Sequence, residues 1–268
     1  MRAIAHISDL HFGRHDPVIA AGLLADLQAE NPDLIAISGD LTQRARRAEF
    51  AAAREFLDRL AAPVIAVPGN HDVPLYNPLR RVFRPLNRFH RYISPHQHPL
   101  FADAELAVLG INTARAAALS NGRVSQQQMD EIREQFQRIP RAAFRALVTH
   151  HPLTAPALAP DREIVGRAER ALDAIADAGV DLLLTGHYHL ASSRNVTSYH
   201  VTTKRTVLVS EAGTAISKRL RGEVNSYNLI RVDHLHVACE QRDWNGHRFA
   251  STRTERYTHF DGHWSAHG

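Results

Sequence analysis

The chain has 268 residues, 44% of them apolar and 22% charged, with a formal net charge of +4 and a single cysteine, Cys239. That composition belongs to a globular protein with enough apolar material for a sizeable core. It excludes an internal disulfide framework and a cysteine-rich zinc site. No apolar run approaches the ~20 residues of a membrane span, and the N-terminus "MRAIAHISDLHFG" lacks the apolar stretch of a secretory leader. A cytoplasmic location is therefore expected. The small positive charge suits an anionic partner, and 18 histidines are a high count.

In chain order, "RAIAHIS" reads as a first strand, and "VIAAGLLADLQAE" as an amphipathic helix opened by Pro17. "DLIAIS" is a second strand, "AEFAAAREFLDRLA" a second helix and "PVIAV" a third strand. This βαβαβ order predicts parallel strands with helices on their faces. Residues 77–100 interrupt the rhythm. They read as a helical, cap-like insertion broken by Pro78, Pro85, Pro95 and Pro99, with Arg80, Arg84, Arg88 and Arg91 at helical spacing. Further strands are predicted at 106–111, 144–150 and 181–186, with helices at 125–138 and 167–179, the latter stopped by Gly179. Beyond residue 190, Thr-, Val- and Tyr-rich segments predict a second sheet packed on the first, and residues 240–268 carry no assignment. One domain spanning 1–268 is expected.

Five of the predicted strands end in polar clusters. Asp9 and His11 follow the first, Asp40 the second, and Asn70, His71 and Asp72 the third. His150 and His151 end the strand at 144–150, and His187 and His189 the strand at 181–186. Ligands of α/β sheets bind beyond the carboxyl ends of the strands. In an extended segment residues i and i+2 point the same way, so Asp9 with His11, and His187 with His189, can each face one centre. Nitrogen and oxygen donors of this kind suit manganese, iron, zinc or cobalt.

The blocks "DLH", "GDL", "GNHD", "THHP" and "GHYH", in that order over residues 9–189, resemble the five-part motif of the calcineurin-like metallophosphoesterase superfamily. Within it the chain looks most like bacterial class III cyclic-nucleotide phosphodiesterases, a likeness that "GTAISKRLRGEVNSYNLI" extends to about residue 230. The resemblance implies a four-layer α/β/β/α sandwich, two mixed sheets flanked by helices, with a dinuclear centre at the strand ends. It implies that Asp9, His11 and His189 hold one metal, that Asn70, His150 and His187 hold the other, and that Asp40 bridges them. His71 would act near the leaving oxygen with Asp72 to orient it. His151 is expected to support rather than to ligate, and Tyr188 to point away into packing. The implied reaction is hydrolysis of 3′,5′-cyclic nucleotides or similar small diesters by a hydroxide held between two transition metals. One alternative is a pyrophosphatase acting on a nucleotide-linked lipid precursor at the inner face of the membrane. An alternative of another class is a scaffold or nucleic-acid-binding protein without catalysis, which the complete ligand set disfavours. Arg80, Arg84, Arg88, Lys218, Arg219 and Arg221 are the candidate substrate-binding cations, and peripheral membrane contact is a candidate partner mode.

Overall fold

The structure, a computed structural model, describes residues 1–268 except 117–120, 156–159, 190, 197–205, 221 and 268, and the side chains of 193–196. Strand β1 (Arg2–Ile7) runs parallel to β2 (Leu34–Ile37), which runs parallel to β3 (Val64–Ala66). Helix α1 (Pro17–Glu30) links β1 to β2, and α2 (Arg47–Leu57) links β2 to β3. The Asp16 carboxylate caps α1 by accepting from the Val18 and Ile19 amides. Glu49 closes the start of α2 by accepting from the Arg44 and Arg46 amides at 2.8 and 3.1 Å.

A second sheet is built from β4 (Leu100–Ala102), β5 (Leu106–Gly110), β6 (Phe144–Val148), β7 (Leu182–Thr185), β8 (Ser192–Val196) and β9 (Val207–Glu211). Its order is β4-β5-β6-β7-β9-β8, with β5, β6, β7 and β9 parallel and the two edge strands antiparallel. Helices α5 (Gln126–Gln137) and α6 (Ala168–Asp177) cover its outer face.

Strands of both sheets are apolar on both faces because both faces are covered. On β1 and β2, Ala5, Ile7, Ile35 and Ile37 face α1 and α2, with Leu23, Leu27, Phe50 and Phe56 against them. Ile4, Leu34 and Ala36 face the other way, into a core shared with Val108, Val148, Leu182 and Leu184 of the second sheet. Met129, Ile132, Phe136, Leu172 and Ile175 pack on that sheet's far side. The layering is therefore α/β/β/α.

Two sequence expectations change. The β segments beyond residue 190 divide: β8 and β9 join the second sheet, but those after residue 225 do not. β10 (Ser226–Val232) pairs antiparallel with the edge of β1 that β2 leaves open, Arg2 opposite Val232 and His6 opposite Asn228. β11 (His236–Trp244), β12 (Phe249–Phe260) and β13 (His263–His267) follow as an antiparallel meander, so the unassigned tail completes the first sheet, in the order β13-β12-β11-β10-β1-β2-β3. The insertion is two short helices, α3 (Pro78–Phe83) and α4 (Asn87–Tyr92), divided around Pro85. α4 is anchored by Phe89, buried in the core beneath α2, and Tyr92 stacks on Phe50 with ring centroids 6.2 Å apart. α3 has no buried residue.

Candidate metal centre

The carboxyl ends of β1, β2 and β3 from one sheet and of β6 and β7 from the other meet at one rim. The backbone turns sharply there. Asp9, His11, Asp40, His187 and His189 all have positive φ, between 48° and 80°. L-residues pay for that conformation, and such strain collects at functional sites. The extended i, i+2 alternation expected for Asp9–His11 and His187–His189 is thus replaced by left-handed turns, which keep Asp9 and His11 in one group of donors but part His187 from His189. Gly39, with φ of +97°, lies so close to His150 that a Cβ would sit 2.6 Å from Nδ1. At Gly186 a Cβ would fall 2.0 Å from Ser8 Oγ.

Among the described residues four overlapping groups of donors result, two of them without Asp40. Asp9, His11 and His189 form one, with His11 Nε2 and His189 Nε2 3.2 Å apart and Asp9 Oδ1 3.1 Å from His189 Nε2. His150, His151 and His187 form the other, His150 Nε2 lying 3.2 Å from His187 Nδ1 and 3.2 Å from Asn70 Oδ1. Asp40 stands between them. Its oxygens are 3.9 Å from His11 Nε2 and 3.5 Å from His150 Nε2, and it accepts the His71 amide at 2.9 Å. Asp9, His11, Asp40, His150 and His189 are buried, and Asn70, His71 and His187 half-buried.

Backbone carbonyls aim two of these rings. His150 Nδ1 donates to the Ser38 carbonyl at 2.7 Å, and His189 Nδ1 donates to the Arg219 carbonyl at 3.1 Å. Each leaves Nε2 facing the cluster, the arrangement that orients a metal-binding imidazole. Pairs of ring nitrogens 3.2 Å apart, with Asp9 Oδ1 buried and without a hydrogen bond, leave lone pairs converging on shared points. Cations fit this donor set, and its N/O character suits the manganese, iron, zinc and cobalt range.

The electrostatics agree with that reading. Burial works against the Asp9 carboxylate, yet His189 and His11 hold its pKa well below the ordinary range. Burial is likewise outweighed at Asp40, where His150 keeps the carboxyl ionised. Burial opposes the charge on His150, but Asp40 raises its pKa to about 9, so a metal held there would displace a proton from Nε2.

His71 lies at the edge of this group, its ring 4.9 Å from that of His11. Its Nδ1 donates to the Gln43 carbonyl at 2.8 Å, and Arg219 Nη1 donates to its Nε2 at 3.1 Å. Asp72 does not orient it. The Asp72 carboxylate instead accepts from the Leu41, Thr42 and Gly69 amides and the Thr42 hydroxyl, stitching the β2 loop to the β3 loop. Burial and the nearby Asp40 charge raise its pKa to about 6. The partner of His71 is a main-chain oxygen, which no side-chain pattern reveals.

A cavity of about 400 Å³ opens over Asp40, Asn70, His71, His187 and His189. Its outer wall adds Tyr188 of the "GHYH" block and, from outside the sequence motifs, Asn121, Arg162 and Glu163. Tyr188 does not turn into packing: its hydroxyl donates to the Glu163 carbonyl at 2.5 Å, and the Arg162 guanidinium lies 5.6 Å from its ring. Among the described candidate substrate-binding cations only Arg219 reaches the site. Lys218 is largely exposed and 3.7 Å from Asp16. Arg80, Arg84 and Arg88 line a separate cleft with Arg47 and Arg91, because the break at Pro85 folds the insertion back over α2. Arg221 lies outside the described residues.

A family model for calcineurin-like phosphoesterases matches residues 2–191. A probable cyclic nucleotide phosphodiesterase of Synechococcus is 35% identical over 81 residues, 27% of this chain and 32% of the relative. The 3′,5′-cyclic adenosine monophosphate phosphodiesterase CpdA of Haemophilus influenzae is 26% identical over 188 residues, 68% of this chain and 64% of the relative. The matches thus span about a third of one curated relative and just under two thirds of the other. A dimetal phosphatase from Danio rerio has the same fold, with a TM-score of 0.64 over 93% of this chain and 98% of its own, at 13% identity.

Proposed function

Since the chain belongs to the calcineurin-like phosphoesterase family, we propose that it is a two-metal phosphodiesterase acting on 3′,5′-cyclic nucleotides or similarly small diesters. The observation that carries the reading is the position of Asp40, within reach of both His11 and His150 and so common to both donor groups. Asp9, His11 and His189 would hold one metal, Asn70, His150 and His187 the other, and Asp40 both. A cavity of about 400 Å³ lies within the range of small-ligand sites, and the names of the Synechococcus and Haemophilus relatives point to cyclic nucleotides. The metals, when bound, supply Lewis acidity toward a phosphoryl oxygen and lower the pKa of water.

The chain's own groups do the rest. Arg219, whose guanidinium reaches the cavity edge at His71, donates to a phosphoryl oxygen and neutralises charge that grows in the transition state. The Gln43 carbonyl holds His71 Nδ1, so Nε2 points to the cavity and, once protonated, gives its proton to the leaving oxygen. Such an acid contributes about 10²–10⁴-fold. Purified protein loaded with manganese should therefore hydrolyse a model diester and cyclic AMP faster than a monoester or a lipid-linked pyrophosphate. His71→Ala should keep its metal content and lose about 10²–10⁴-fold in turnover, whereas Asp40→Ala should lose metal as well. Full diesterase activity in metal-replete His71→Ala would remove that histidine from the mechanism, and absence of phosphoesterase activity across the panel would refute the reading.

A further inference from the structure

Helix α3 is a folded segment with nothing of its own in the core. Leu79, Val82 and Phe83 are 72%, 67% and 76% exposed and lie at i, i+3 and i+4, on one face. Leu75 and Tyr76, just before the helix, are exposed too. Five of the 13 exposed large apolar residues among the described residues thus fall between positions 75 and 83. The face is held outward from the far side of the helix. Arg81 turns inward, donating to the Ala116 carbonyl at 2.7 Å and the Pro74 carbonyl at 3.2 Å.

Beside this face is the arginine cleft, about 380 Å³ in volume, lined by Arg47, Arg80, Arg84, Arg88 and Arg91 with no acidic residue in its wall. Arg88 donates to the Ala45 carbonyl at 2.6 Å, and Arg47 donates to the Tyr92 hydroxyl at 3.0 Å. Neither contact supplies a counter-charge. The like charges of Arg80 and Arg47, after burial itself, weigh against the Arg88 cation.

We propose that the α3 face and the arginine cleft together dock the protein on an anionic lipid surface. Leu79, Val82 and Phe83 would enter the boundary between headgroups and acyl chains while the arginines pair with lipid phosphates. An apolar face flanked by basic side chains is what interfacial binding requires, and each basic residue near an anionic leaflet adds attraction. A second copy of the chain fits less well. A two-fold contact apposes the same patch to itself, which would bring two arginine clusters together. The inference is independent of the hydrolase reading, and its test does not use activity.

The full-length protein is to be sedimented with vesicles of phosphatidylcholine alone and of phosphatidylcholine mixed with phosphatidylglycerol. Binding is expected to the mixed vesicles only, and to weaken as salt is added. The combined Leu79→Ser, Val82→Ser and Phe83→Ser variant should lose roughly ten-fold or more in partitioning. Arg80→Ala and Arg84→Ala should each lose roughly five-fold. Phe83→Trp should shift its added emission to the blue on mixed vesicles, a readout that does not depend on the serine variant. No binding to mixed vesicles, an unshifted Phe83→Trp, or wild-type partitioning of the folded serine variant would each overturn the proposal. So would a dimer in sedimentation equilibrium that the serine variant breaks, without vesicle binding by the wild type.

Discussion

Arg219 contributes twice to the site, through different atoms. Its carbonyl accepts from His189 Nδ1, and its guanidinium donates to His71 Nε2. Arg219→Ala removes only the second contact, so metal content should match the wild type while diester hydrolysis falls by about 10–100-fold, the worth of a hydrogen bond to a charged group. Metal loss in that variant would show that the loop, not the guanidinium, matters. His6 is the other residue with a large consequence. It lies between the sheets, Nε2 at 2.9 Å from Ser38 Oγ and Nδ1 at 3.3 Å from Ser210 Oγ. Burial, partly opposed by Asp9, pushes its pKa from 6.5 down to about 3. Between those values the unfolded chain binds a proton that the folded chain does not. Stability from this group is therefore complete above about pH 6.5 and declines as the pH falls, by up to ~1.4 kcal/mol per unit, until about pH 3. His6→Asn should flatten the acid side of a urea-midpoint profile; an unchanged slope would assign the acid sensitivity to other groups.

The two helices of the insertion should respond differently to substitution. Phe89 on α4 is 1% exposed and packs into the core beneath α2, so Phe89→Ala should cost about 3–5 kcal/mol in chemical denaturation. Val82→Ser on α3 should stay within about 0.5 kcal/mol, as substitutions at exposed positions do. Equal losses at both positions would mean that α3 is covered by the fold after all. The insertion was legible in the sequence as helical and proline-broken. What Pro85 does to the arginines was not. Spacing of three to four residues puts Arg80, Arg84, Arg88 and Arg91 on one stripe only if the helix is continuous. The break instead gathers them around Arg47, away from the cavity that holds Asp40 and His71.

At the scale of the whole molecule, the donor groups tie the two sheets together. Asp9, His11, Asp40 and Asn70 come from the ends of β1, β2 and β3, and His150, His187 and His189 from the ends of β6 and β7. A cation bound there links strands distant in the chain and binds the folded state alone. At free metal a hundred-fold above Kd, one such site adds about 2.7 kcal/mol, which raises Tm by roughly 5–10 °C in a protein of this size. Chelation should reverse that shift and manganese restore it. A Tm indifferent to both would count against cation binding at this rim.

The alternation of apolar runs and helical patterns, and the polar residues that end five strands, could be read directly from the sequence, because each is encoded within a few neighbouring residues. Strand positions from β1 to β7 follow that local code closely, except for the short edge strand β4, which the sequence pattern does not predict and which begins where the stretch read as a helical insertion ends. The tertiary structure alone decided that β10 to β13 close the first sheet rather than form another, that Asp72 braces two loops rather than His71, and that His6 bridges to Ser210, 204 residues away. It also decided that the chain turns left-handed at His187 and His189, and that the surrounding backbone aims the rings of His189 and His71. Each of these depends on which edge, carbonyl or side chain lies opposite across the packed sheets. Distant segments settle that together on folding, by burying apolar faces and satisfying backbone groups, and no short stretch of sequence carries it.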